Sequence, residues 1–199
     1  MPYTAKNFEN LLGTTGFSDN ALKSHFTLYN GYVTNVNKVS DALVEMLKSD
    51  KTGTPEYNEL KRRFGWEWNG MRIHEYYFNS ISKTPATFDK DSALYKKIEK
   101  DFGSYEAWEK DFRATAAMRG MGWAILYYDA NTHDSENSRL YNVWVNEHDV
   151  GHLGGAKIIL PIDVLEHAYL IDYGLKRADY IEAFMKVINW NVVTGRFEK

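Results

Sequence analysis

An α+β fold is what this sequence predicts: an N-terminal domain, residues 1–86, built as a long antiparallel helical hairpin, followed by a C-terminal α/β domain, residues 87–199, with a small antiparallel sheet of about three strands flanked by helices. Two long runs of apolar residues at helical spacing are separated by a short turn. After Gly120-Met121-Gly122 the pattern changes to short β-branched and aromatic runs. Helical spacing then returns from Arg177 onward.

The first helix is expected over residues 18–48, with Ser18 as N-cap, Asp19 in the first turn, and Leu22, Phe26, Tyr29, Val33, Val36, Leu43 and Leu47 near helical spacing. Ser49 to Pro55 reads as a turn, and Pro55 suits the first position of a second helix that runs to Ser82 and is stopped by Pro85. Gly65 and Gly70 are possible interruptions in it. A short connection makes the two helices antiparallel neighbours. Shorter helices follow over 89–102 and 105–119, the second with Trp108, Phe112 and Met118 on one side. Trp123–Tyr128 and Leu140–Val145, joined by the polar loop from Asp129 to Arg139, read as a β-hairpin, and a third strand ends at Asp163. The last helix, residues 177–197, spaces Tyr180, Phe184, Val187, Ile188 and Asn191 along one face.

Composition narrows the chemistry. The 199 residues are 44% hydrophobic and 15% aromatic, enough for a sizeable core. With 24 Lys and Arg against 27 Asp and Glu the formal charge is -3, so neither nucleic acid nor an anionic membrane surface is an expected partner. No run approaches the roughly 20 apolar residues of a membrane span, and Met1 to Lys6 lack the apolar stretch of a secretory signal; a cytoplasmic protein is expected. Cysteine is absent, which excludes disulfides, thiolate zinc sites, iron-sulfur clusters and thiol nucleophiles. Metal chemistry must use nitrogen and oxygen.

Six histidines are available: His25, His74, His133, His148, His152 and His167. His133 lies in a polar loop and reads as solvated. Asp163 and His167 have a spacing that one turn of chain brings to a single point, which suits two ligands of one metal. Taken alone, that short pattern favours a surface aspartate beside a hydrogen-bonded core histidine. His25 and His74, however, fall near the middles of the two helices predicted to be neighbours, so their imidazoles can share a cavity. Three imidazoles and one carboxylate suit iron, manganese, zinc or nickel better than magnesium or calcium. The segment from His74 to Phe78 lacks the second histidine of a zinc-protease helix, and Gly151 to Gly155 lacks the ending of a phosphate loop.

Several motifs in order then identify a resemblance. Asp163-Val164-Leu165-Glu166-His167-Ala168-Tyr169 is similar to the D-x-W-E-H-A-Y signature of the iron/manganese superoxide dismutase family, with Leu165 in the tryptophan position. Gly120-Met121-Gly122-Trp123-Ala124 resembles its G-S-G-W-A turn. Lys176 to Tyr180 and Val187-Ile188-Asn189-Trp190 resemble R-x-D-Y and V-x-N-W. The resemblance covers nearly the whole chain. It implies one iron or manganese ion per subunit, held by His25, His74, Asp163 and His167 with a solvent molecule completing the site. The implied reaction disproportionates superoxide, one anion being oxidised to dioxygen and a second reduced, with two protons, to hydrogen peroxide.

Further roles follow from the same resemblance. His148 stands where the family often has a glutamine that hydrogen-bonds the solvent, with His152 as the other candidate, while Gly70 leaves the alternative amide position empty. Tyr32 is the implied channel tyrosine, but it follows His25 by one residue fewer than in the family, a shift that turns a helix by about 100° unless a wide turn is lost at the same place. Tyr29 and Glu166 are implied at the interface of a homodimer, or of a tetramer built from it. Trp123 and Phe78 pack the site, with Phe78, Ile125 and Leu165 in places usually held by tryptophan, and Arg177 is the implied funnel arginine steering superoxide inward. The rival expectations are a catalytically weak metal-binding relative with a sequestration or interaction role, and a zinc hydrolase on the same scaffold.

Overall fold

The computed structural model describes residues 2–130 and 137–198; His133 lies outside the described residues. Helix α1 spans Asp19–Lys48 and α2 spans Pro55–Asn79. Each start is set by its cap: the Ser18 side chain accepts from the Ala21 N–H, and Thr54 accepts from Tyr57, with Pro55 in the first turn. Gly65 and Gly70 do not interrupt α2. Two shorter helices follow, α3 over Ala93–Phe102 and α4 over Tyr105–Ala116, capped by Ser92 and Ser104. Helix α3 starts later than the periodicity suggests, at the Ser92 cap, whose side chain accepts from the Tyr95 N–H.

The sheet is three-stranded and antiparallel in the order β2-β1-β3, with β1 over Gly122–Asp129, β2 over Arg139–Asn146 and β3 over Lys157–Asp163. Central β1 is buried from Gly122 to Tyr127, whereas Pro161 sits on the edge strand β3, where a missing N–H is tolerated. The register places Trp123 opposite Val145 on one side and Asp163 on the other. Glycine is required at 122, since a Cβ there would lie 2.1 Å from the Val145 carbonyl oxygen.

Helix α5, Glu166–Tyr173, extends what the sequence suggested only as one turn after Asp163. The single helix expected over 177–197 is a correction: the chain forms α6, Arg177–Lys186, and α7, Trp190–Glu198. Between them Ile188 bridges to Ile81, the Ser82 N–H donates to the Val187 carbonyl at 2.8 Å, and the Asn189 N–H donates to that of Ser80 at 2.7 Å. The same pairing ends α2 at Asn79, ahead of the expected Ser82. Helical periodicity persists through 187–189, but non-local main-chain bonds override it. Helix α1 packs on α2 and α5, and α2 on β3, so the ends of β3 and α5 face the middle of the helical pair. No helix among the described residues is long and apolar enough to cross a membrane.

Candidate metal centre

Four elements bring one side chain each to a common point: His25 from α1, His74 from α2, Asp163 from the end of β3 and His167 from the first turn of α5. One potential ligand atom from each lies within 4.8 Å of all the others. Asp163 Oδ2 is the hub, 3.2 Å from His25 Nε2, 3.0 Å from His167 Nε2 and 3.4 Å from His74 Nε2. Asp163 is fully buried, which removes the surface-aspartate alternative. Its other oxygen accepts from the Leu165 N–H at 2.9 Å, and its carbonyl accepts from the Tyr180 hydroxyl at 2.7 Å, so Oδ2 is left for the imidazoles.

His74 decides what this cluster suits. Its Nδ1 donates to the Gly70 carbonyl at 2.5 Å, which in the neutral imidazole leaves a lone pair on Nε2, and that buried nitrogen has no hydrogen-bond partner among the described residues. An orphaned buried acceptor is costly, and a cation held by the imidazoles and the carboxylate would satisfy it. Three nitrogens and one oxygen form a donor set for a first-row transition metal.

Titration follows from the same geometry. Burial pushes His25 down to about 4 despite the Asp163 carboxylate beside it. Burial alone would raise Asp163, but His167 and His25 hold it well below the usual carboxylate range. For His167, burial lowers the pKa while Asp163 more than reverses it, leaving a net rise.

Beside the cluster lies a second hydrogen-bonded line. Trp123 Nε1–H donates to His148 Nδ1 at 3.0 Å, which puts the imidazole hydrogen on Nε2, and Nε2–H donates to the Tyr32 hydroxyl at 2.7 Å. Burial pushes His148 down to about 3, with a smaller contribution from His74, so the imidazole is neutral. Burial also raises the Tyr32 hydroxyl pKa, aided by Asp163. Tyr32 reaches this position without strain. Helix α1 is a regular α-helix throughout, and seven residues make nearly two full turns, so Tyr32 falls within about 20° of His25 on the same face.

Gly70 is more than an empty place. A Cβ there would lie 2.7 Å from Tyr32 Cδ1 and 2.9 Å from Cε1, so the tyrosine ring occupies the space of a side chain at 70. Trp66, which was not singled out from the sequence, completes the wall: its ring lies 4.7 Å from His148 and 5.5 Å from Tyr32, and its Nε1–H donates to Glu147 at 3.0 Å. The spacing of Trp66, Gly70 and His74, one turn apart each, was the available signal.

The remaining candidates separate. The bond to Tyr32 belongs to His148 and not to His152, which instead contacts Tyr127 Oη at 2.6 Å and the His148 carbonyl at 2.8 Å. Phe78 lies edge-on to His25, with ring centroids 4.9 Å apart. Arg177 donates to the Met118 and Gly120 carbonyls and to the Tyr169 hydroxyl; among the described residues no carboxylate is its partner. Glu166 is exposed next to His167 and has no ion pair among the described residues. Tyr29 is fully buried within its own chain, where its hydroxyl donates to Glu75 at 3.0 Å and accepts from the Lys6 N–H at 3.0 Å.

Comparison with known proteins points to one family. The family described as iron/manganese superoxide dismutases, C-terminal domain, matches residues 90–196. A superoxide dismutase [Fe] of Aquifex pyrophilus is 38% identical over 190 residues, covering 92% of this chain and 85% of that protein. One from Cupriavidus metallidurans, also named for iron, is 36% identical over 92% of this chain and 89% of its own length. Superoxide dismutase [Mn] 2 of Haloferax volcanii is 35% identical over 88% of this chain and 83% of that protein.

Proposed function

This chain belongs to the iron/manganese superoxide dismutase family, and from that premise we propose that it disproportionates superoxide with one iron or manganese ion held by His25, His74, Asp163 and His167. The observation that carries the reading is the orphaned Nε2 of His74, aligned with two further imidazoles and a carboxylate in a buried cluster. A bound iron or manganese ion supplies the one-electron couple that oxidises one superoxide and reduces the next.

The protein's own groups supply anion attraction and protons. Arg177, whose guanidinium has no carboxylate partner among the described residues, is a local cation on an acidic chain. His148 spends its only N–H on the Tyr32 oxygen, so the Tyr32 hydroxyl hydrogen is not consumed by that bond. It is available to an anion in the site, and Tyr32 then accepts its replacement from solvent. Trp123 fixes the direction of the line, because an indole N–H can only donate.

The same reading includes a cytoplasmic homodimer in which Glu166 bonds His167 of the second subunit, supported by the exposure of Glu166, Leu170 and Ile171 on α5. Sedimentation at the chain's own mass would remove it. Residues 1–86 and 87–199 then each supply two of the ligands. Superoxide consumption by purified, metal-analysed protein tests the enzyme. His74→Ala is expected to lose bound metal and at least about a hundredfold in rate. Full metal content without turnover in the wild type would reject the assignment, as would native zinc with no colour change on adding dithionite.

A further inference from the structure

His148 is carried by a strained connection. Glu147 has a left-handed φ of 50°, and Gly151 has a φ of 107° with its Cα so close to β2 that a Cβ would lie 2.8 Å from the Trp144 carbonyl oxygen. The turn is closed by reciprocal main-chain bonds between Asn146 and Val150. Those bonds fix its base but leave the peptide at His148, near its tip, to other partners. One reaches it: His152 Nε2 lies 2.8 Å from the His148 carbonyl oxygen. A carbonyl can only accept, so the His152 hydrogen is on Nε2. In the neutral imidazole Nδ1 is then an acceptor, and the hydroxyl 2.6 Å away, that of Tyr127, is the donor.

Tyr127 and Trp123 both belong to β1, the central and most buried strand. We propose that β1 clamps His148 at two points, Trp123 gripping the imidazole and Tyr127 gripping the main chain through His152, so that His152 and Tyr127 are positioning residues for the His148–Tyr32 hydrogen bond. The inference rests on the reading of His148 given above. It predicts that a residue outside the metal cluster, bonded to no potential ligand, keeps His148 within reach of Trp123, whose N–H sets the tautomer, and so preserves its aim at Tyr32.

Imidazole nitrogen NMR of the metal-free protein, paired with turnover of the metal-loaded protein, tests it. Wild-type His148 is expected to show a single Nε2–H tautomer. In His152→Ala that signature gives way to a mixture, and turnover falls about five- to tenfold at unchanged metal content. His152→Gln, whose amide can donate to the carbonyl and accept from Tyr127, restores both readouts, and Tyr127→Phe falls between. A His148 tautomer unaltered in both His152→Ala and Tyr127→Phe overturns the clamp. A lost tautomer with unaltered turnover upholds the clamp and refutes the role of His148 in proton delivery instead. If His152→Ala does not fold, Tyr127→Phe decides the matter on the same two readouts.

Discussion

Replacing Gly70 by alanine places a methyl group where the Tyr32 ring now lies, and a neighbouring glycine allows the cost to be isolated. The added Cβ would stand 2.7, 2.9 and 3.0 Å from Cδ1, Cε1 and Cγ of Tyr32, whereas at Gly65 in the same helix nothing lies within 4 Å of the equivalent position. Both substitutions gain the helix preference of alanine over glycine, about 0.8–1 kcal/mol. That gain cancels between them. What remains is overpacking against Tyr32, about 1–3 kcal/mol, which for a domain of this size makes the Gly70→Ala melting temperature lower than that of Gly65→Ala by roughly 2–12 °C. The ring must also retreat by about 0.7 Å or more to reach ordinary contact, enough to stretch a 2.7 Å bond to His148 beyond useful length. Turnover per bound metal should therefore fall in Gly70→Ala and hold in Gly65→Ala. Equal melting temperatures and equal turnover in the two variants would show that the ring is not wedged against Gly70.

Two further outcomes follow from charge. His148 is fully buried and neutral, so below its ordinary value of 6.5 the unfolded chain takes up a proton that the folded chain refuses. Stability should fall as the pH drops from 6.5 toward about 3, by up to about 1.4 kcal/mol per pH unit from this residue, and denaturant unfolding should show a shallower acid slope in His148→Gln. Parallel slopes would contradict the neutral assignment. Arg177→Gln should lower kcat/KM about three- to tenfold at low salt and flatten its dependence on ionic strength; an unaltered salt profile would take Arg177 out of substrate steering.

What could be read from the sequence was local. Ser18, Thr54 and Pro55 announce the starts of α1 and α2 because capping involves residues three apart. Asp163 and His167 are legible for the same reason. The break between α6 and α7 is not, since it is made by residues 80–82, more than a hundred positions away. Nor is the burial of Tyr29, which depends on Glu75 of another helix and on the main chain of Lys6. The shortened spacing from His25 to Tyr32 looked like a displacement of the channel residue. In three dimensions it is the spacing that an unbroken α-helix requires, and Gly70 supplies the matching recess.

The stitch between residues 80–82 and 187–189 sets an order of events during synthesis. His25 and His74 emerge early, as two imidazoles on a helical pair with no carboxylate between them. Asp163 and His167 follow almost ninety positions after His74, and the segment that ties the end of α2 in place comes later still. A nascent chain thus cannot offer a complete cradle to passing ions. All four donors are present only once residue 167 has been made, and the end of α2 is tied in place only once residues 187–189 have followed.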